Sequence, residues 1–283
     1  MSDNNVFNTE EILRLLQLEA SGDDRFLGAS HFMGSPAVFG GQMLGQALYA
    51  AAQSVEGRVP ASLHAMFISP GDYTLPIEYH VERLRDGGTF STRRVVAYQG
   101  KRHIFNASIS FQLEETSPSH QHTMPAVAAP EQMQPHSPHW RYRPGDEGDL
   151  KHAAPVDFRC DAASGIGMPY TLAPQQAIWA RTPIALADDR LTHETLLAYI
   201  SDYGLMWTAL KPYGVDPYGS NLQAASLDHT IWFHRPFRLD DWLLFAMESP
   251  TASGGRGLNL AHVYDKAGRM VATIAQEALM RIR

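Results

Sequence analysis

The chain carries one cysteine, Cys160. No disulfide can form within it, and no cysteine-based metal cluster can be built. Nothing around Cys160 has the setting of an activated thiol, so it reads as a small, buried residue. Long apolar runs are also missing, since none approaches the roughly 18 residues of a membrane span. The opening Met-Ser-Asp-Asn-Asn lacks a basic patch leading into an apolar stretch. A soluble, cytoplasmic protein is the expectation, with no membrane partner. Basic excess is absent as well. Thirty acidic residues against 23 basic ones give a formal charge of −7, which excludes the cationic surface that nucleic-acid binding needs. It leaves room for a few Arg or Lys around an anionic small ligand. Gly-x-Ser-x-Gly, His-Glu-x-x-His and Gly-x-Gly-x-x-Gly do not occur, so the usual serine-hydrolase, zinc-protease and dinucleotide signals are missing. Gly40-Gly41-Gln42 lacks the Lys-Ser/Thr that would make it a phosphate loop.

What is present is apolar material: 44% of 283 residues, enough for one large core or two domains of roughly 140 residues each. Asn8 and Glu11 have capping-box spacing before Ile12, Leu15 and Leu16, predicting a helix over 8–20. Residues 21–40 read as a loop. A second helix is predicted over about 42–55, with Leu44, Ala47, Leu48 and Ala51 as its stripe. Its small face, Gly41, Gly45, Ala51 and Ala52, suits close approach to a sheet. From 61 to 113 the period changes to that of strands, punctuated by Asp86-Gly87-Gly88 and Gln99-Gly100-Lys101. Residues 116–148 hold six prolines with His120, His122, His136 and His139. Without Cys, Asp or Glu at ligand spacing, an extended solvated connector is the better reading than a metal site.

After the connector the same order returns. A helix is predicted over 193–210, capped by Thr192. Strands follow over 222–235, 243–248, 258–264 and 270–280, with turns at Ser253-Gly254-Gly255 and Asp265–Gly268. Counting from Pro70 and Pro236 aligns His64 with His229, Gly87-Gly88 with Gly254-Gly255, and Ser110 with Gln276. A helix followed by an antiparallel meander therefore occurs twice, as a diverged duplication whose sheets would join and bury each other's open edges. The expected division is a unit over 1–115, a connector over 116–148 and a unit over 149–283.

Unusual polar residues within these elements are Asp202, Asp228, His229, His234 and Gln276. Asp202 is either a terminal or polar-face residue or a carboxylate facing a cleft, able to polarise water. Gln276 is either a solvent-face residue or an amide holding a water by donating and accepting.

The stretch Val38–Leu48 resembles the opening signature of type II acyl-coenzyme A thioesterases. His64 to Asp72, Arg83 to Gly87, Ser226 to Pro236 and Gln276 to Arg281 continue the similarity in the same order. The resemblance implies an α+β double hotdog fold, with a long helix wrapped by an antiparallel sheet twice in one chain. It implies hydrolysis of fatty acyl-coenzyme A to free acid and coenzyme A, with an attacking water held by Asp202, Ser226 and Gln276. The middle position is Ser where a bacterial member has Thr, and both carry the hydroxyl. A thioester is already activated toward water, so no covalent nucleophile, metal or other cofactor is required. The oxyanion needs a backbone N–H at a helix start, placed near Gly40, Gly41 and Gln42. One site per chain is expected, because the first unit has Ser110 in place of Gln276. The resemblance also implies a homo-oligomer, dimer or tetramer. Two alternatives stay open: a hotdog hydratase acting on unsaturated acyl-coenzyme A through an Asp228-His229 pair, and a non-catalytic acyl-coenzyme A-binding protein.

Overall fold

The structure, a computed structural model, describes residues 8–33, 35, 37–136, 155–161, 172–215 and 221–283. The first helix, α1 (Thr9–Leu16), is shorter than expected but starts where the capping box puts it. Asn8 accepts from the Glu11 N–H at 3.0 Å while Glu11 accepts from the Asn8 N–H at 2.9 Å. The expected loop over 21–40 instead opens with a hairpin, β1 (Glu19–Gly22) and β2 (Arg25–Gly28). Such short strands carry little periodic signal, and β2 is fixed by backbone pairing to a distant strand.

The first unit continues with α2 (Gly40–Ala52), β3 (Val59–Phe67), β4 (Ile77–Asp86), β5 (Phe90–Gln99) and β6 (Arg102–Gln112). The connector supplies β7 (Gln134–His136), and the second unit contains β8 (Asp157–Cys160), β9 (Gln175–Arg181), α3 (Arg190–Ile200) and β10 (Leu222–Ser226). It ends with β11 (Asp228–Phe233), β12 (Leu243–Ser253), β13 (Arg256–Asp265) and β14 (Met270–Ile282). Among the described residues the strands all belong to one sheet of 14, in the order β1-β2-β4-β5-β6-β3-β11-β14-β13-β12-β9-β8-β7, with β10 on the far end of β14. The blocks β4-β5-β6-β3 and β11-β14-β13-β12 mirror each other across an antiparallel seam, where Leu63 stands opposite Ile231. Each block is a helix followed by a meander, so the chain is a double hotdog.

Helices α2 and α3 are largely buried, and α2 packs against β3, β4, β5 and β6. The small face of α2 meets the other helix rather than a sheet, which corrects the sequence reading. A Cβ built on Gly41 would stand 2.0 Å from the Tyr199 carbonyl oxygen, and one on Gly45 would stand 2.9 Å from that of Thr195. Residue numbers rise along α2 as they fall along α3, so the two helices run antiparallel with backbones nearly touching. Bulkier residues would hold them further apart.

The connector is extended but not simply solvated. Gln121 donates to the Gly268 carbonyl at 2.7 Å and accepts from the Met270 N–H at 3.0 Å, and Trp179 Nε1 donates to the Ala128 carbonyl at 3.0 Å. Met124, Val127 and Met133 pack against Trp179, Trp242, Leu244, Tyr264 and Met270 on the outer face of the second unit's sheet. Apolar side chains at irregular spacing explain why the sequence pattern hid this cover. Residues 137–148, with His139, lie outside the described residues. No group of His, Cys, Asp or Glu among the described residues could hold a metal.

Register also corrects the pairing of Ser110 with Gln276 and of His64 with His229. Ser110 is half-buried on the outer face, opposite Ser62 and Thr92, while Ile109 and Phe111 point to the core. Gln276 is fully buried on the inner face with Ile274 and Ala278. The inner-face counterpart of Gln276 is therefore apolar, Ile109 or Phe111. His64 is exposed and His229 fully buried.

Because the added methyl of Gly41→Ala meets backbone rather than a movable side chain, it should destabilise the fold by about 1–3 kcal/mol. Urea unfolding reads this directly, and unchanged stability would contradict the close helix contact.

Candidate active site

Asp202 does not sit on a helix face. The α3 helix is capped by Asp189, whose carboxylate accepts from the Thr192 N–H at 3.0 Å and hydroxyl at 2.7 Å, so Asp189 replaces Thr192 as the cap. The helix ends at Ile200, short of the expected 210, and its C-cap is Ser201. Gly204, in the left-handed region at φ 73°, turns the chain away. A 3-10 segment over Met206–Tyr213 then packs on β9, β12, β13 and β14. Asp202 stands on this turn, its side chain only 8% exposed. The N-terminus of α2 faces it: the Gly41 N–H donates to Asp202 Oδ2 at 3.1 Å.

Gln276 reaches the same carboxylate from the middle of β14. Its Nε2 lies 2.5 Å from Asp202 Oδ1, 3.0 Å from Ser226 Oγ and 3.2 Å from His229 Nδ1. Two N–H groups serve three neighbours, so one is shared. Ser226 closes β10 and pairs opposite Ala278. Leu227 interrupts the edge, its N–H on the Glu277 carbonyl, and β11 resumes the pairing with β14. Asp202, Ser226 and Gln276 thus converge from a helix turn and two strands. The inner-face oxygen of the amide, Gln276 Oε1, is buried and bonded to nothing among the described residues.

Electrostatics follow from burial. Loss of water around Asp202 raises its pKa to about 6, against the opposing pull of hydrogen bonds from Gln276, Gly41 and Ser226. Burial drives His229 down to about 3. It is therefore neutral, and its 3.9 Å approach to Asp202 Oδ1 is not an ion pair.

Of the expected oxyanion donors, Gly41 is engaged by Asp202 and the Gln42 N–H by the Phe39 carbonyl at 3.1 Å. Gly40 is the first residue of α2, and among the described residues nothing is bonded to its N–H. A Cβ there would lie 2.6 Å from Asp202 Oδ2, so only glycine lets the backbone come this near the carboxylate.

Asp228 and His229 face apart. Asp228 accepts from the Glu277 N–H at 2.8 Å, on the side away from Gln276. Sequence reasoning singled out His229 but gave it no place beside Gln276. It missed Ser201, whose hydroxyl lies 2.9 Å from His229 Nε2. The available signal was strand alternation, which puts His229 on the buried face with Ile231 and Phe233.

Two family models match, described as the acyl-CoA thioesterase N-terminal domain over residues 29–112 and the C-terminal domain over 115–280. With the fold, they define the class as a hotdog thioesterase. Acyl-CoA thioesterase 2 of Haemophilus influenzae is 39% identical over 95% of this chain and 96% of its own. Acyl-coenzyme A thioesterase 8 of Mus musculus is 37% identical over 96% and 89%. The crystal structure of an acyl-CoA thioesterase II from Mycobacterium marinum is 35% identical, covers 96% of this chain and 98% of its own, and superposes with a TM-score of 0.79. The chain belongs to the type II acyl-CoA thioesterase family.

The Asp202 pKa lies above its unfolded value, so the ionised carboxylate opposes folding. That cost is absent below about pH 4 and grows as the pH rises through 6. Asp202→Asn should therefore stabilise the protein by about 1–3 kcal/mol at pH 8 and not at pH 4. Urea unfolding at the two pH values checks this, and a variant less stable than wild type at pH 8 would contradict it.

Proposed function

We propose that this protein hydrolyses fatty acyl-CoA thioesters with a water activated by Asp202 and positioned by Ser226 and Gln276. The observation that carries this reading is the meeting of Gln276 and Ser226 with the buried Asp202 carboxylate, next to an amide oxygen unbonded among the described residues. A water between Asp202 and Gln276 Oε1 would donate to both. Asp202 takes one proton as the water oxygen bonds the thioester carbon. The carbonyl oxygen becomes an oxyanion, for which the Gly40 N–H is the donor in the expected set not already engaged. Collapse breaks the carbon–sulfur bond, and the proton on Asp202 passes to the departing thiolate. The products are the fatty acid and coenzyme A.

A pKa near 6 suits both halves of this cycle. The carboxylate is a stronger base than an exposed Asp, yet mostly ionised at neutral pH. Fixing the water removes the entropic cost of finding it. No covalent intermediate is involved. The units over 1–115 and 149–283, joined by 116–148, share this one site, since Gly40 and Gly41 come from the first and the three side chains from the second. A homo-oligomer fits the exposed Met66 and Trp232 on the outer face of the seam, and a cytoplasmic location fits the sequence.

A thiol-release assay across acyl lengths tests the reading. Asp202→Asn should lower kcat by about 10²–10⁴ while leaving acyl-CoA binding nearly intact, and Gln276→Ala and Ser226→Ala by about 10-fold. In wild type, kcat/KM should rise with pH through an acidic limb near 6. Binding without thiol release would favour the non-catalytic reading, hydration of an unsaturated acyl chain the hydratase, and a full rate in Asp202→Asn would sink the assignment.

A further inference from the structure

A second buried side chain stands behind the three, and its hydrogens can be traced. The Ser201 hydroxyl lies 2.8 Å from the Ala198 carbonyl one turn back and 2.9 Å from His229 Nε2. A carbonyl can only accept, so the one hydroxyl hydrogen goes to Ala198, and Ser201 Oγ must accept from His229. That puts the imidazole hydrogen on Nε2 and leaves Nδ1 bare. Nδ1 lies 3.2 Å from Gln276 Nε2, so it accepts from the amide, and the nitrogen of Gln276 is locked on this side. Ionised Asp202 also only accepts, and the same orientation serves it at 2.5 Å. Along Gln276, His229, Ser201 and Ala198 every donor then meets an acceptor. The opposite tautomer fails at both ends. A hydrogen on Nδ1 would call for Gln276 Oε1 here, setting amide oxygen against carboxylate oxygen, and would strand the amide nitrogen.

We propose that His229 is a positioning residue: as the neutral Nε2–H tautomer it holds the Gln276 amide with nitrogen toward Asp202 and oxygen toward the reacting water. Burial keeps the imidazole uncharged, with its pKa near 3, so the tautomer persists over the working range. The groups facing Asp202 are the Gly41 N–H from α2, Ser226 from β10, His229 from β11 and Gln276 from β14. Of these His229 alone titrates. The inference rests on the assignment of Asp202 and Gln276 to the water.

Two isosteric substitutions isolate the Nδ1 acceptor. His229→Asn places an amide oxygen one bond beyond Cγ, where Nδ1 was, and His229→Leu places a methyl there. Both lose the ring and the bond to Ser201, so a structural role alone would move them equally. His229→Leu should lose about 10²-fold in kcat with KM little changed. Its acidic limb should shift to higher pH, because Asp202 loses a fixed donor. His229→Asn should recover most of the rate, with the limb near its wild-type position. In the wild-type protein, nitrogen NMR of labelled histidine should show His229 protonated at Nε2 and bare at Nδ1 from pH 5 to 8. Equal losses in the two variants, or a proton on Nδ1, would overturn the proposal. A full rate in Asp202→Asn would instead overturn the site assignment beneath it.

Discussion

A carboxylate taken almost entirely out of water is the constraint on which the rest of the site depends. Burial of Asp202 raises the free energy of its charged form, and hydrogen bonds from both halves of the chain limit the rise. The Gly41 N–H comes from α2, in the first unit, and Gln276 from the last strand. The Gly41 N–H reaches Asp202 because the two helices run antiparallel at near contact, which the glycines at 41 and 45 permit. The closeness of the helices and the basicity of the carboxylate are thus two aspects of one packing arrangement. The proposed hydrolysis calls for a base near neutrality, and burial of Asp202 supplies a carboxylate with its pKa raised to about 6.

The duplication explains why there is one such place among the described residues. Sheet order repeats in mirror image, yet on the inner face of β6 the counterpart of Gln276 is Ile109 or Phe111. The first unit kept an apolar core where the second holds a polar cluster. It contributes the start of α2 to that cluster instead, where the Gly41 N–H meets Asp202, so the cluster draws on both repeats. Polar groups are costly to bury unless each is satisfied. Those of the cluster around Asp202 are connected, from Ala198 through Ser201, His229 and Gln276 to Asp202, with Gln276 Oε1 left over. An unsatisfied buried acceptor is tolerable where a water or substrate group meets it.

Much of the fold was legible because its signals are local. The capping box at Asn8 and Glu11, the glycine turns at 87–88 and 254–255, and the alternation in β6 and β14 each act within a few residues. The parts that were hidden depend on distant partners. Strands β1 and β2 exist through pairing with β4, and α3 stops at Ile200 because the turn at Gly204 and the contacts beyond it outweigh an apolar pattern that continues to Leu210. The alignment of Ser110 with Gln276 slipped by one residue for a similar reason. The register shifts between Ala97 and Tyr98 and between Val263 and Tyr264 stand at matching places in the two repeats, so the one-residue difference lies between the two prolines and these hairpins. In a strand a slip of one exchanges the faces. Asp202, Ser226 and Gln276 were singled out through the family resemblance, and the structure brings their side chains together, whereas His229's place behind them required the register of β11 against β14.

The most direct measurement is a titration of the Asp202 carboxyl itself, by carbon NMR of protein labelled at the aspartate side chain and assigned with Asp202→Asn. A midpoint near pH 6 is expected, moving further upward when Gln276 is replaced by an apolar residue that removes its donor. A midpoint in the ordinary carboxylate range, near 4, and unmoved by that replacement would contradict a site built on a desolvated base.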